Sequence, residues 1–103
     1  MSKYVFAYHG GSMPETAADQ ENVMNAWIAW FVELGPAVID GGNPTGRSKT
    51  VSSDGSTDGG GANPLTGYSL ITADDLDGAV ALAKGCPVLA AGGTVEVAEA
   101  IDM

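Results

Sequence analysis

The side chains best suited to proton transfer follow the ends of two short apolar runs. His9 is the only histidine, and imidazole changes its charge near neutral pH. It ends one apolar run and Asp40 ends another, each just before a pair of glycines, so both are expected where a strand meets a turn. A carboxylate beside an imidazole orients the ring for general base catalysis. The pattern predicts a catalytic pair of His9 and Asp40.

The contact between these two side chains depends on the order of the strands. If their strands run parallel with a third strand between them, two strand spacings separate His9 from Asp40 by about 10 Å. Side chains that lean inward could then meet directly or through water. The alternative is a histidine bonded to the backbone and an aspartate that caps its turn. The sequence leaves both interpretations open.

A long polar segment, residues 41–66, holds the second group of candidates. It contains seven glycines among many Ser, Thr and Asn residues, and polar loops of this length in compact domains are often functional. Arg47 and Lys49 are half of the basic residues of the chain, which suggests a site for a carboxylate or a phosphate. Asn43 and Asn63 each precede a proline near the two ends of the segment. We expect these four side chains to bind a ligand.

This segment partly matches two known motifs and completes neither of them. The sequence GGNPTGRS has the spacing of a phosphate-binding loop with Arg47 in place of lysine, but the following SKTVSS favours a strand and not the required helix. That stretch could form a hairpin with Asp54-Gly55 as its turn. Asp54 and Asp58 lack the alternating oxygen ligands of a calcium loop. The sequence therefore predicts neither a bound metal nor a cofactor.

The elements that must position these residues follow a simple order. Residues 3–9 form a β-branched and aromatic run, and residues 16–34 place apolar side chains at spacings of three and four, as in an amphipathic helix. Further strands are predicted at 37–40 and 67–72. A second helix follows the capping sequence TADD, and residues 94–99 alternate apolar and acidic side chains like a half-buried strand.

The order βαββαβ predicts an α+β fold of the ferredoxin-like kind, with a four-stranded antiparallel sheet and two helices on one face. The first and third strands read apolar on both faces, so the face without helices needs a cover. Residues 1–103 form one predicted domain with no element to spare, and 41–66 are a glycine-rich loop or hairpin insertion. A second copy of the chain is the expected cover, which predicts a homodimer.

Composition narrows the classes of partner and the location. Thirteen acidic and four basic residues give a formal net charge of −9, which opposes binding to nucleic acid or to an anionic membrane. The sequence has no run of about 18 apolar residues and no leader-like start, and the lone Cys86 suits a reducing compartment. These features predict a cytoplasmic protein whose partners are its own second copy and a small-molecule ligand.

Five stretches give the chain a resemblance to the YCII-related family. They are AWIAWF at 26–31, VIDGG at 38–42, GYSLI at 67–71, DDLD at 74–77 and GTVEV at 93–97. The resemblance covers nearly the whole chain and implies a dimeric α/β barrel. The chain departs from the family in two places. Asp58-Gly59 lacks the Pro-Phe that completes the motif of the DGPF branch, and the first helix lacks the histidine that a suggested His–Asp site of the other branch requires.

Two functions follow as hypotheses. The first is an enzyme acting on a small, partly apolar metabolite, with His9 as general base and Asp40 as the group that orients it. The second is a non-catalytic ligand-binding or accessory dimer. No complete catalytic motif decides between them, so the sequence does not say whether the chain is an enzyme.

Overall fold

Within residues 1–102, which the computed structural model describes, the chain folds into two helices and six strands. The strands are β1 (Ser2–His9), β2 (Val38–Asp40), β3 (Lys49–Ser52), β4 (Gly55–Asp58), β5 (Leu65–Ala73) and β6 (Thr94–Ala100). The helices are α1 (Ala17–Leu34) and α2 (Leu76–Ala83), and a single 3-10 turn, Gly35–Ala37, leads from α1 into β2. Met103, the last residue of the predicted domain, lies outside the described residues.

Four of the strands form one sheet in the order β2-β5-β1-β6, and each neighbouring pair is antiparallel. β1 and β2 therefore run in the same direction with β5 between them. The prediction of an α+β fold with a four-stranded antiparallel sheet and two helices is confirmed, and the strand order is compatible with ferredoxin-like topology. β3 and β4 pair with each other in a separate two-stranded sheet.

Each helix begins at a side chain that caps its first turn. Thr16 Oγ1 accepts a hydrogen bond from the Asp19 backbone N–H at 3.1 Å and caps α1. The cap of α2 is Asp75, whose Oδ1 accepts from the Gly78 N–H at 2.7 Å. Thr72, the first residue of the capping sequence and the last of the predicted strand, lies within β5, which extends beyond its predicted bounds at both ends.

The hydrophobic core lies between one face of the sheet and the two helices. Side chains alternate along β1, and Tyr4, Phe6 and Tyr8 are buried on this face. Trp30 of α1 stacks on Phe6 with ring centroids 6.3 Å apart. Its indole Nε1 also donates to the carbonyl of Leu82 in α2 at 3.2 Å. The aromatic residues of α1 pack into the core as predicted, and both helices cover the same face of the sheet.

The opposite face of the sheet is covered by neither α1 nor α2. This open face consists of the residues that alternate with the core positions and pair across the strands: Lys3, Val5, Ala7, His9, Asp40, Tyr68, Leu70, Thr72, Glu96 and Ala98. Its central side chains are apolar and only half-buried or exposed. An antiparallel sheet commonly has one solvated face, but that face is then mainly polar. Among the described residues, no helix is long and apolar enough to cross a membrane.

Residues 45–64 form an arm that extends from the sheet, with β3 and β4 at its end. The turn of this hairpin is Ser53-Asp54, because Ser52 pairs with Gly55. The sequence predicts the same hairpin with its turn one residue later. Every residue of β3 and β4 is exposed. The segment expected to be mostly loop therefore contains a regular hairpin that stands apart from the core.

Candidate functional site

His9 is held at the end of β1 by acceptors on both sides of its ring. Nδ1 lies 3.1 Å from the carbonyl oxygen of Asn63 and 3.2 Å from that of Pro64. Nε2 lies 3.0 Å from Oε1 of Glu96, and the histidine side chain is only 11% exposed. The ring therefore joins β1 to two other parts of the chain, the end of the arm and β6.

The oxygens around the ring limit access to it. Carbonyl and carboxylate oxygens only accept hydrogen bonds, so each contact is a hydrogen bond only where the facing ring nitrogen carries a hydrogen. While the Glu96 carboxylate stays beside Nε2, it blocks a substrate from that nitrogen. The Glu96 side chain is 65% exposed, so its carboxylate can turn away into solvent and leave Nε2 accessible.

Asp40 does not lie beside His9. It pairs with Leu70 of β5, and Leu70 pairs with Val5 of β1. His9 is four residues further along β1, which is about 13 Å, and two strand spacings add about 9.5 Å across the sheet, so the two backbones are about 16 Å apart. The predicted contact is wrong because the strands are offset along their length. Oδ1 of Asp40 instead accepts from the Gly42 N–H at 2.8 Å, as a turn cap does.

Glu96 takes the position beside His9 that the sequence analysis gave to Asp40. Two features of the sequence together indicate that Glu96 lies beside His9. The apolar and acidic alternation of β6 places Glu96 on the face opposite Val95 and Val97, and the ferredoxin-like strand order places β6 next to β1. Combining the two would have identified the pair, because Glu96 lies opposite Ala7, two residues from His9.

The open face forms a shallow trough next to this pair. Ala7 lies between Tyr68 of β5 and Glu96 of β6 in the strand register, so a small side chain separates two large ones. One row further, Val5 lies between Leu70 and the small Ala98. A trough with an apolar floor and polar groups at its walls can hold a small, partly apolar molecule.

The four predicted ligand-binding residues divide into two places. Asn43 lies at the trough, where its Nδ2 donates to the Tyr68 hydroxyl at 3.4 Å, and Asn63 contacts His9 through its backbone carbonyl. Arg47 and Lys49 lie out on the arm. There they line an open cavity of about 590 Å³ together with Ser48 and Asp58.

A second concave region lies at the other end of the sheet. It measures about 350 Å³ and reaches from β2 across the start of β1 to the end of β6, with a lining of Met1, Ser2, Lys3, Ile39, Thr72, Glu99, Ala100, Ile101 and Asp102. None of the predicted site residues lines it.

A chain of hydrogen bonds fixes the segment between β2 and the arm below the trough. The Tyr8 hydroxyl donates to Ser69 Oγ at 2.7 Å, and the Ser69 hydroxyl donates to the carbonyl of Gly41 at 2.6 Å. Burial raises the pKa of the Tyr8 hydroxyl, although its bond to Ser69 acts the other way. At Gly42, φ is 73° and a Cβ atom would lie 1.8 Å from the Tyr68 carbonyl oxygen, so only glycine fits.

The remaining reactive groups of residues 1–102 form no further candidate site. Cys86 is buried, and burial raises the pKa of its thiol to about 11, which keeps it protonated and unreactive near neutral pH. Within residues 1–102, no group of three or more His, Cys, Asp or Glu side chains is placed to hold a metal ion. His9, Glu96 and the trough are therefore the strongest candidate for a functional site.

No family model matches the chain, and no curated protein matches it. The assignment of a function accordingly depends on the geometry of the open face and of the His9 site.

Proposed function

We propose that the chain is a homodimeric, YCII-related module that binds a small, partly apolar molecule between the open faces of two copies. The observation that supports this most is the one-sided packing of the sheet. Both helices cover the Tyr4 and Phe6 face, while Val5, Ala7 and Leu70 on the other face have no covering element within the described chain. Apolar sheet faces are normally buried.

Two open faces brought together would turn the trough into an enclosed space. The apolar floor around Ala7 would then be dry, and the polar groups at its edge, His9 with Glu96 and Tyr68 with Asn43, would select the orientation of a ligand. Binding without catalysis agrees with the hydrogen bonds of His9, because both ring nitrogens already have partners. A cytoplasmic location and the absence of nucleic acid partners remain predictions of the composition.

The oligomeric state tests the first part of this proposal. We expect light scattering at micromolar concentration to give the mass of a dimer. Leu70→Lys places a charge in the open face and should yield a monomer, because a buried unpaired charge is costly. Val32→Lys is the matched control, since Val32 is 75% exposed on α1, and it should remain dimeric. A monomeric wild-type protein would refute the proposal.

Ligand binding tests the second part. A metabolite screen by thermal shift should reveal compounds that raise the melting temperature of the wild-type dimer, since ligand stabilisation grows with occupancy. His9→Ala and Tyr68→Ala should lose the shift given by such a compound. Ser52→Ala, on the exposed arm, is the control that should keep it. A compound that stabilises all variants equally would bind elsewhere.

A second candidate function, general base catalysis by His9, is favoured by the exposure of Glu96. Because this carboxylate can leave the ring, a substrate could reach Nε2 while the two carbonyl acceptors keep Nδ1 oriented. For any compound that the dimer converts, Glu96→Gln should alter the rate and its pH profile. Asp40→Asn should leave both unchanged, because Asp40 bonds to Gly42. If Asp40→Asn changed the rate and its pH profile and Glu96→Gln changed neither, Asp40 and not Glu96 would be the partner of His9.

A further inference from the structure

The arm, residues 45–64, makes few contacts with the rest of its own chain. β3 and β4 pair only with each other, and all of their residues are exposed. Val51, a large apolar side chain in β3, is 79% exposed. A two-stranded hairpin alone is marginally stable in water, so this one gains stability where it packs on another surface.

The arm also differs in charge from the rest of the chain. It carries two of the four basic residues, Arg47 and Lys49, and two of the thirteen acidic ones, Asp54 and Asp58. The arm is therefore neutral, and the remaining residues carry the whole net charge of −9. Lys49 pairs with Asp58 at 3.2 Å in an exposed position, and Arg47 forms no ion pair within residues 1–102. A guanidinium without a carboxylate is well suited to an intermolecular ion pair.

The open face of the chain presents groups that complement this guanidinium. The open face presents two carboxylates, Asp40 and Glu96, around an apolar centre, and Glu96 is 65% exposed. Arg47 and Val51 on the arm offer the matching positive and apolar groups. Opposite potentials on two surfaces steer their association and fix its register.

We propose that the arm is an intersubunit clasp, which packs on the second copy and brings Arg47 to the open-face carboxylates there. This inference rests on the homodimer proposed above and adds the segment that closes it. Each trough then contains residues of both chains: His9, Glu96 and Tyr68 from one, and Arg47 from the other. The division of the predicted ligand-binding residues follows, since Asn43 and Asn63 serve their own trough while Arg47 and Lys49 serve the partner's.

Charge reversal on the arm tests the clasp. Arg47→Glu combined with Lys49→Glu should weaken the dimer about tenfold or more in sedimentation equilibrium, since like charges would then face the partner's carboxylates. Ser52→Glu, which adds a charge to the same hairpin and removes no basic group, is the control and should weaken the dimer much less. Equal effects of the two variants, or no effect of either, would overturn the clasp.

A mixture of two variants tests the surface that receives the arm. Glu96→Lys protein mixed with the Arg47→Glu, Lys49→Glu protein should form heterodimers more readily than either variant forms homodimers, because both contacts between an arm and an open face then pair opposite charges, whereas in each homodimer both contacts pair like charges. Heterodimers no tighter than the homodimers would overturn the assignment to the open face.

Hydrogen exchange on the wild-type protein gives an independent measurement that requires no substitution. The backbone amides of β3 and β4 should be protected at concentrations where the protein is a dimer and lose this protection on dilution to monomer. Protection that does not change with concentration would overturn the clasp and leave the proposed dimer intact. A wild-type protein that is monomeric at all concentrations would refute the dimer itself.

Discussion

Ser69 is a fully buried polar residue that links three segments of the chain. Its hydroxyl accepts from Tyr8 of β1 and donates to Gly41 at the end of β2. Because each member of this chain has a partner, the polar groups cost little, but the loss of the central one leaves two buried groups unsatisfied. The link between β1, β5 and the segment that follows β2 therefore depends on one small side chain.

Ser69→Ala should lower the free energy of unfolding by about 1–3 kcal/mol, the cost of leaving buried hydrogen-bonding groups without partners. Tyr8→Phe should cost less, because the Ser69 hydroxyl still reaches Gly41. Chemical denaturation measures both. Ser52→Ala, an exposed serine on the arm, is the control and should change stability by about 0.5 kcal/mol or less. A Ser69→Ala protein as stable as this control would contradict the buried chain.

The buried Cys86 thiol and the buried Tyr8 hydroxyl predict that the stability of the protein falls in alkaline solution. The Cys86 thiol has its pKa raised by burial from 9.0 to about 11, and burial also raises the pKa of Tyr8 above its ordinary 10.0. Above pH 9 the unfolded chain releases these protons before the folded one does, so the unfolded state binds fewer protons and stability declines. The stabilisation is complete below pH 9 and is lost as pH rises through about 11.

Denaturation midpoints between pH 8 and pH 11.5 measure this decline. Cys86→Ala should reduce the fall of the midpoint that begins near pH 9. Tyr8→Phe should reduce the further fall that begins near pH 10. Ser52→Ala, which removes an exposed hydroxyl from the arm and no titratable group, is the control and should leave the alkaline slope unchanged. A wild-type midpoint that is constant up to pH 11 would contradict the burial of both groups.

Among the elements, the junction of β2 with the arm is the most sterically constrained. Gly42 approaches β5 so closely that a Cβ atom would overlap the Tyr68 carbonyl, and its φ of 73° disfavours other residues. Gly46, four residues later, has an ordinary φ and no atom within 4 Å of the position of a Cβ. The same substitution at these two glycines should therefore have opposite outcomes.

Gly42→Ala should destabilise the protein by about 3 kcal/mol or more, because the backbone of β2 or β5 must move to relieve the overlap. Gly46→Ala should be neutral or slightly stabilising, since alanine lowers the conformational entropy of the unfolded chain. Thermal unfolding of the two variants gives the comparison. Equal effects would show that β2 and β5 do not approach each other as described.

Most elements could be predicted from the sequence, whereas their relative offsets could not. The apolar periodicity of α1 and the alternation of β1 and β6 are local signals, and they gave the order of the elements. The distance between His9 and Asp40 depends on how far β2 slides along β5, and β2 has only three residues with an irregular register at that pairing. The position of the turn in the exposed hairpin differs by one residue from the prediction, because the few apolar residues of β3 and β4 give little periodic signal to fix the register.

For the whole molecule, the arm and the sheet should behave as separable parts. The buried core residues lie in β1, α1, β5, α2 and the segment that follows α2, partly buried residues of β2 and β6 pack against them, and none of these residues lies on the arm. Residues 45–61 replaced by a short Gly-Ser turn should therefore leave the circular dichroism spectrum of the folded protein and the core intact. Loss of folding in this variant would show that the arm supports the core, contrary to its exposure. The replacement retains Asn43, whose backbone carbonyl accepts a hydrogen bond from the Tyr68 N–H of β5.

The aromatic cluster of α1 has a practical consequence for such measurements. Both tryptophans of the chain, Trp27 and Trp30, lie in α1 and contact each other and the rings of Phe6, Tyr8 and Phe31. Their fluorescence therefore reports on the helix-covered side of the sheet and is silent about the arm. Emission should change sharply when the protein unfolds and hardly at all when two copies separate. A spectroscopic assay of the clasp needs a fluorophore placed on β3 or β4.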